Sequence, residues 1–177
     1  MIGTLETVSA LSRPDLLAQP VIQALETHRS DEVLVAQIDP DLADTAAFCE
    51  TYQVPLEISA NCVVVAGKRE GKQHVAACVV LATTRADVNN VVRKRLSVRK
   101  ASFLAMEEAV EATGMEYGGI TPIGLPANWP VLVDAAVVDI PYVIVGSGVR
   151  RSKIVIPGKA LAALPRAEAV EGLGRPV

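Results

Sequence analysis

The segment Tyr117-Gly118-Gly119-Ile120-Thr121-Pro122-Ile123-Gly124 sets three glycines and a proline within eight residues. A helix stop needs one glycine, and Gly114 already supplies it, so the others point to a backbone that something approaches closely. Exposed N–H groups in such a loop can hold an anion or a developing oxyanion, and Pro122 stiffens it. The competing reading is a tight irregular turn. Gly146-Ser147-Gly148, directly after Tyr142-Val143-Ile144-Val145, is a second place of this kind. It lacks the glycine spacing of a nucleophile elbow, and Arg151 stands where the third glycine of a dinucleotide loop belongs. Ser147 is still a hydroxyl that a ligand could meet. Asp134 ends the run Val131-Leu132-Val133. A carboxylate there holds either a substrate ammonium or nearby backbone N–H groups, and the second is the commoner use.

Other chemistries find little support. The two histidines, His28 and His74, stand in no context that resembles a Ser-His-Asp triad. Cys49, Cys62 and Cys78 form no CxxC pair, so neither a zinc site nor any other metal or cofactor is expected. Cys62 and Cys78 lie in apolar runs and read as buried thiols of a reducing compartment. The stretch Gly67 to Lys72 lacks the spacing of a phosphate loop.

The elements that position these groups come from a chain with 50% hydrophobic and 21% charged residues, enough to bury a sizeable core. Only 3% are aromatic, which leaves too few rings for a general single-strand coat protein, and no DNA partner is expected. No apolar run reaches the roughly 18 to 20 residues that span a bilayer, and no leader opens the chain, so the expectation is a soluble cytoplasmic protein. Net charge is −3, yet Arg85, Arg93, Lys94, Arg95, Arg99 and Lys100 crowd a short stretch with one acid, Asp87. That is either a face for phosphates or a solvated helix surface.

Ser12-Arg13-Pro14 predicts a capped helix from Pro14 to about Thr27, with Pro20 a kink or break. A strand is expected over Val33 to Ile38, then a helix from Leu42 to about Tyr52 capped by Asp41 or Asp44. Asn61 to Ala66 and Gln73 to Ala82 are β-branched runs around a charged, glycine-bounded loop, the mark of an antiparallel hairpin. Asp87 to Leu96 predicts a polar helix, Val98 to Ala101 a short strand, and Leu104 to Ala112 a helix. Strands follow at 131–133, 142–145 and 153–156, then a short helix over 157–164 and a tail from Pro165 that frays. The pattern predicts one α+β domain over 1–177, with a mixed, largely antiparallel central sheet and packed helices.

In this order the elements resemble the YbaK/EbsC family of aminoacyl-tRNA deacylases, relatives of the editing domain of prolyl-tRNA synthetase. Asp44-Thr45-Ala46-Ala47 resembles the family's acid-Thr-Ala helix start, and Asn61 to Ala82 its central hairpin. Thr113-Gly114 with Tyr117 to Gly124 is similar to its TGY…GGxxPxG signature, and Leu132-Val133-Asp134 with Gly146-Ser147-Gly148 to its late strand and turn. The resemblance covers residues 40–165, with 1–39 added as an N-terminal helix and strand. It implies ester hydrolysis without a protein nucleophile, on the aminoacylated 3′ end of a tRNA, with an aminoacyl-tRNA synthetase as a second partner. Gly118, Gly119 and Pro122 would form the catalytic, orienting loop. Ala60, Asn61, Asp134, Gly146, Ser147 and Gly148 would bind substrate, and Arg93, Lys94 and Arg95 would meet tRNA phosphates.

One departure stands out. The family carries a lysine at the start of the first hairpin strand, and here Ser59-Ala60-Asn61-Cys62 puts Ala60 in its place and Asn61 in that of the neighbouring hydroxyl residue. Asn61 offers a neutral hydrogen bond, about half as strong as a charge-assisted one. Either Lys68, Lys100 or another base substitutes from elsewhere, or the chain binds an aminoacyl end or small molecule with its hydrolysis weakened or lost.

Overall fold

Two long strands dominate the molecule because Asn61 to Ala66 and Val75 to Leu81 are almost wholly small or β-branched, residues that fit a pleated surface. A computed structural model of the chain describes residues 2–28 and 32–177. Its strands and helices run β1 (Thr7–Ser9), α1 (Gln19–Thr27), β2 (Leu34–Gln37), α2 (Thr45–Tyr52), β3 (Ala60–Arg69), β4 (Lys72–Leu81) and β5 (Thr84–Ala86). They continue α3 (Arg93–Leu96), β6 (Ser102–Phe103), α4 (Met106–Thr113), β7 (Val131–Asp134), α5 (Ala135–Val138), β8 (Val143–Gly146), β9 (Ser152–Ile156), α6 (Gly158–Ala162), β10 (Ala167–Val170) and β11 (Gly174–Pro176).

The strands form a sheet ordered β1-β2-β9-β8, a second ordered β10-β7-β4-β3-β6, and a small pair β11-β5. Among the described residues only the strand pairs β4–β7 and β7–β10 are parallel, so the fold is the expected mixed, mainly antiparallel α+β arrangement. A lone parallel bridge from Ser59 to Ile144 couples the two larger sheets at the start of β3. Alternate residues of both sheets, Val35, Val145, Ile154, Val79 and Val133 among them, fill a shared core with Val21 and Leu25 of α1. The opposite face of the second sheet takes Val92, Leu96 and Leu173, and that of the first takes Phe48 and Cys49 of α2. Both faces of each sheet are thereby covered, which accounts for the near-continuous apolar runs in the sequence. Cys78 is buried in the second sheet, and desolvation pushes its thiol up to about 12, so it stays protonated. No helix among the described residues is long and apolar enough to cross a membrane.

Several local expectations give way to tertiary forces. The hairpin loop expected over Gly67 to Lys72 is itself strand, closed by Glu70 and Gly71 alone, at φ 52° and 76°. Two consecutive left-handed residues match the twist of flanking strands. Gly67 stays in the ladder because a Cβ there would lie 2.5 Å from the Val98 side chain and 2.6 Å from the Lys100 carbonyl. The helix expected from Pro14 divides into 3-10 turns at Ala10–Ser12 and Pro14–Leu16, followed by α1, in which Pro20 sits in the first turn. The proline therefore opens a helix, since its missing N–H has no partner to lose there. Ser12 caps nothing; its hydroxyl donates to the Ser9 carbonyl at 2.6 Å. A π-turn over Val88–Val92, capped by Asp87, leads into α3, and the short strand expected at 98–101 occurs instead at β6. The tail does not fray. Arg166 turns at φ 62°, β10 joins β7, and Leu173 inserts fully into the second sheet's outer layer.

Leu173→Ala should lower stability by about 2–5 kcal/mol in urea unfolding; a change below 1 kcal/mol would mean the tail is not part of the cooperative unit. Gly124→Ala should also destabilise, because φ is +86° and the new Cβ would meet the Pro20 carbonyl oxygen at 2.4 Å.

Candidate functional site

Three neighbouring strands bring polar groups to one place. Lys153 on β9 lies opposite Gly146 on β8. The parallel bridge from Ile144 to Ser59 carries Asn61, two residues further along β3, toward Gly146. Over this face comes the start of α2, fixed by Asp44, whose carboxylate accepts from the Ala47 N–H at 3.5 Å. Thr45 Oγ1 donates to Asn61 Oδ1 at 2.7 Å, and Lys153 Nζ donates to the Ala43 carbonyl at 3.0 Å. Asn61 and Lys153 are thus anchored two residues apart on the same helix entry. The Asn61 amide NH2 has no protein partner among the described residues.

Gly146 is a steric necessity. A Cβ there would stand 2.7 Å from the Gly119 carbonyl oxygen and 2.9 Å from that of Ile120. The glycine-proline loop therefore lies over β8 by its carbonyls. The two small-residue loops are also sewn together: Gly148 N–H donates to Gly119 O at 2.7 Å, and Glu116 N–H to Gly148 O at 2.9 Å. Gly119 N–H donates to Glu116 O at 3.0 Å within its own turn. The expectation of a loop offering free N–H donors changes accordingly: Gly119's donor is taken, and the groups turned toward Gly146 are acceptors. Arg150 closes the wall. Its guanidinium donates to Tyr117 O at 3.3 Å and to Pro40 O at 3.1 Å, tying the glycine loop to the segment that enters α2.

The other expected residues divide plainly. Gly119 and Gly146 are in direct contact, Asn61 lies beside Gly146 by register, and Gly118 abuts the Arg150 guanidinium, with Gly148 stitching the two loops together. Pro122 turns away and lines a separate hollow of about 320 Å³ with Pro20, Gly124 and Trp129. Ser147 is fully buried, bonded to Val149 O at 3.0 Å and to the Ser152 hydroxyl at 2.6 Å, so its hydroxyl is engaged within its own turn. Asp134 is buried two strands away from β3, capping α5 through the Ala136 N–H and holding the tail through the Gly174 N–H at 3.1 Å. The commoner of its two expected uses is the one observed. Ala60 faces the inter-sheet core, on the opposite side of β3 from Asn61. Arg93 donates to the Asn89 and Val98 carbonyls, and Arg95 pairs with Glu168 at 2.5 Å, so two of three expected phosphate contacts hold the chain itself; Lys94 is exposed.

Lys153 is the residue that sequence reasoning passed over. Its signal was a charge within the apolar strand Ser152-Lys153-Ile154-Val155-Ile156. It is 8% exposed, with Nζ 5.2 Å from the centre of the Phe48 ring. Desolvation holds its pKa below the usual lysine value, opposed by Cys49 and Asp44 and reinforced by Arg150. An ammonium buried with no directly bonded carboxylate is an expensive feature for a fold to keep. Chemically, this cluster combines one cationic donor, one amide and two carbonyl acceptors, a set that can orient an ester carrying an α-ammonium group.

Comparison with known proteins bears on the fold and the family. The chain is 26% identical over 125 residues to a proline–tRNA ligase of Listeria monocytogenes serotype 4a (strain HCC23), covering 69% of this chain and 21% of that protein. It therefore spans about a fifth of that relative's length. Among solved structures, one provisionally described as a trans-editing enzyme for prolyl tRNA synthetase superposes with a TM-score of 0.73 at 21% identity, covering 87% of this chain and 94% of the other. A hypothetical protein superposes with a TM-score of 0.77 at 18% identity, covering 89% of this chain and all of the other. At these identities the structural likeness speaks for the fold. The model of the aminoacyl-tRNA editing domain matches residues 39–164, and the chain belongs to that family.

Proposed function

We propose that this chain hydrolyses, in trans, the ester that joins a small, wrongly attached amino acid to a tRNA. The observation that carries the reading is the buried Lys153 ammonium beside Asn61 at the entry to α2, inside the stretch matched by the editing family. In this reading the carbonyls of Gly119 and Ile120 accept from the substrate's α-ammonium, while Lys153 and the Asn61 amide donate to the ester oxygens. Water attacks the acyl carbon, the bond to the terminal ribose breaks, and the ribose oxygen takes the water's proton. The amino acid leaves as a carboxylate with the release of a second proton. Fixed donors aimed at developing negative charge are worth roughly 10²–10³ in rate each, so no nucleophilic side chain is required. The reaction belongs in the cytoplasm, where tRNA is charged, and an aminoacyl-tRNA synthetase is the natural second partner.

A second reading follows from Ala60: the chain binds the aminoacyl end without cleaving it. The two are separated by incubating the protein with a panel of mischarged tRNAs. Deacylation above the buffer rate for at least one small amino acid is expected, and none for any would sink the hydrolytic reading. Ala60→Lys should create no activity and should lower the melting temperature, because it drives a charge into an aliphatic core; a gain of activity would favour the binding module.

Lys153→Met offers a sharper check. The lysine's folded pKa lies below its unfolded value, so the folded chain carries the charge at a penalty that fades as pH rises through the folded pKa. At neutral pH the methionine variant should melt at the same temperature or higher, yet lose at least tenfold in kcat/KM. Lower stability with unchanged kcat/KM would mark Lys153 as a structural brace only.

A further inference from the structure

Six basic residues of this acidic chain gather at one end of the β3–β4 hairpin. The tip of the β3–β4 hairpin separates two hollows that share Gln73, one of about 500 Å³ and one of about 260 Å³. Lys68, Arg99 and Lys100 line the first, and Arg69, Arg95 and Arg166 the second. These six of the chain's 17 Lys and Arg residues are faced in the two linings by one acid, Glu108. Arg69 and Arg95 are already engaged, with the Leu96 carbonyl and with Glu168. Lys68, Arg99 and Lys100 are exposed and hold no side-chain bond among the described residues. Beside them Phe103 presents its ring, 64% exposed, at the margin of the first hollow. An unbonded trio of cations next to an open aromatic face suits a phosphate backbone with a base free to stack.

We infer that this end of the hairpin is a docking surface for the acceptor arm of tRNA. The inference rests on the tRNA reading above and adds where the nucleic acid lies. Asn61 and Lys68 are seven residues apart on one strand, roughly 23 Å at the usual rise. A tRNA whose last nucleotide reaches Asn61 has its preceding phosphates at about that distance, which is the distance to the hairpin tip. The basic helix face is not needed for this, since Arg93 and Arg95 are turned to their own chain.

Filter binding of deacylated bulk tRNA over a series of KCl concentrations tests the assignment. Relative to the native chain, K68A/R99A/K100A should weaken binding at least tenfold at low salt. It should also flatten the salt dependence of log Kd by about 2 to 3, the value for three lost phosphate contacts. A control triple on other surfaces, R13A/R85A/K159A, should bind as the native chain does, and all three proteins should melt alike. Equal loss in both triples, no change in the first, or no tRNA binding by the native chain would each overturn the inference. Deacylation of an aminoacylated CCA oligonucleotide, too short to reach the tip, reads the crevice alone. It should be untouched by the triple, so failure of the surface and failure of the hydrolytic reading give different results.

Discussion

Backbone lies directly against backbone where the glycine-proline loop crosses β8, and most of what is distinctive here depends on that approach. Gly119 and Ile120 present carbonyl oxygens within 3 Å of where any side chain at 146 would begin. Gly119 in turn packs against the main chain of Val149, 2.9 Å from an added Cβ. Two loops that touch in this way cannot slide, because interiors at this density have no room to absorb a methyl group. Their carbonyls are therefore fixed acceptors, and the strands that flank β8 bring Lys153 (from β9) and Asn61 (from β3) beside Gly146. Preorganisation of this kind is what lets modest hydrogen bonds act on a reacting ester without first being ordered.

A cost accompanies the arrangement. Lys153 is buried without a bonded counter-ion, and Thr121 keeps a fully buried hydroxyl with no partner among the described residues. Each feature works against stability, the unpaired hydroxyl by roughly 1–3 kcal/mol. Both belong to the elements that frame the crevice, Thr121 to its loop and Lys153 to its floor. Folds tend to tolerate such departures from good packing where a ligand or a reaction makes use of them.

The parts legible in the sequence were those set by local pattern. The β3–β4 hairpin followed from its β-branched runs, and Asp44, one of two expected caps, opens α2, although at Thr45 rather than at Leu42, which falls in a 3-10 turn. Gly114 stops α4 in the left-handed conformation, as its position before a glycine-rich loop suggested. What local pattern could not supply was the identity of the partners. Nothing near Pro20 distinguishes a proline that kinks a helix from one that opens it. The glycine loop was recognisable by composition, yet whether it offers donors or acceptors depends on Gly148 and Glu116 bonding to Gly119. Lys153 finds its carbonyl partner at Ala43, 110 residues away, a pairing that only the folded sheet creates. Asp134 resolved the other way: its position hinted at two roles, and the distant tail chose between them.

The N-terminal segment reaches both loops from outside the stretch that defines the family. Ala18 N–H donates to the Ser147 carbonyl, Leu16 O accepts from Ser152, the Arg151 guanidinium grips Asp15 O, and Pro20 O rests where Gly124 has no side chain. An excised fragment beginning at residue 39 would keep every group of the crevice and lose the clasp behind it. Its glycines, freed of neighbours, would regain the conformational freedom that glycine has in an open chain, and the acceptors would wander. The clasp is thus as much a part of the apparatus as Lys153 and Asn61 themselves.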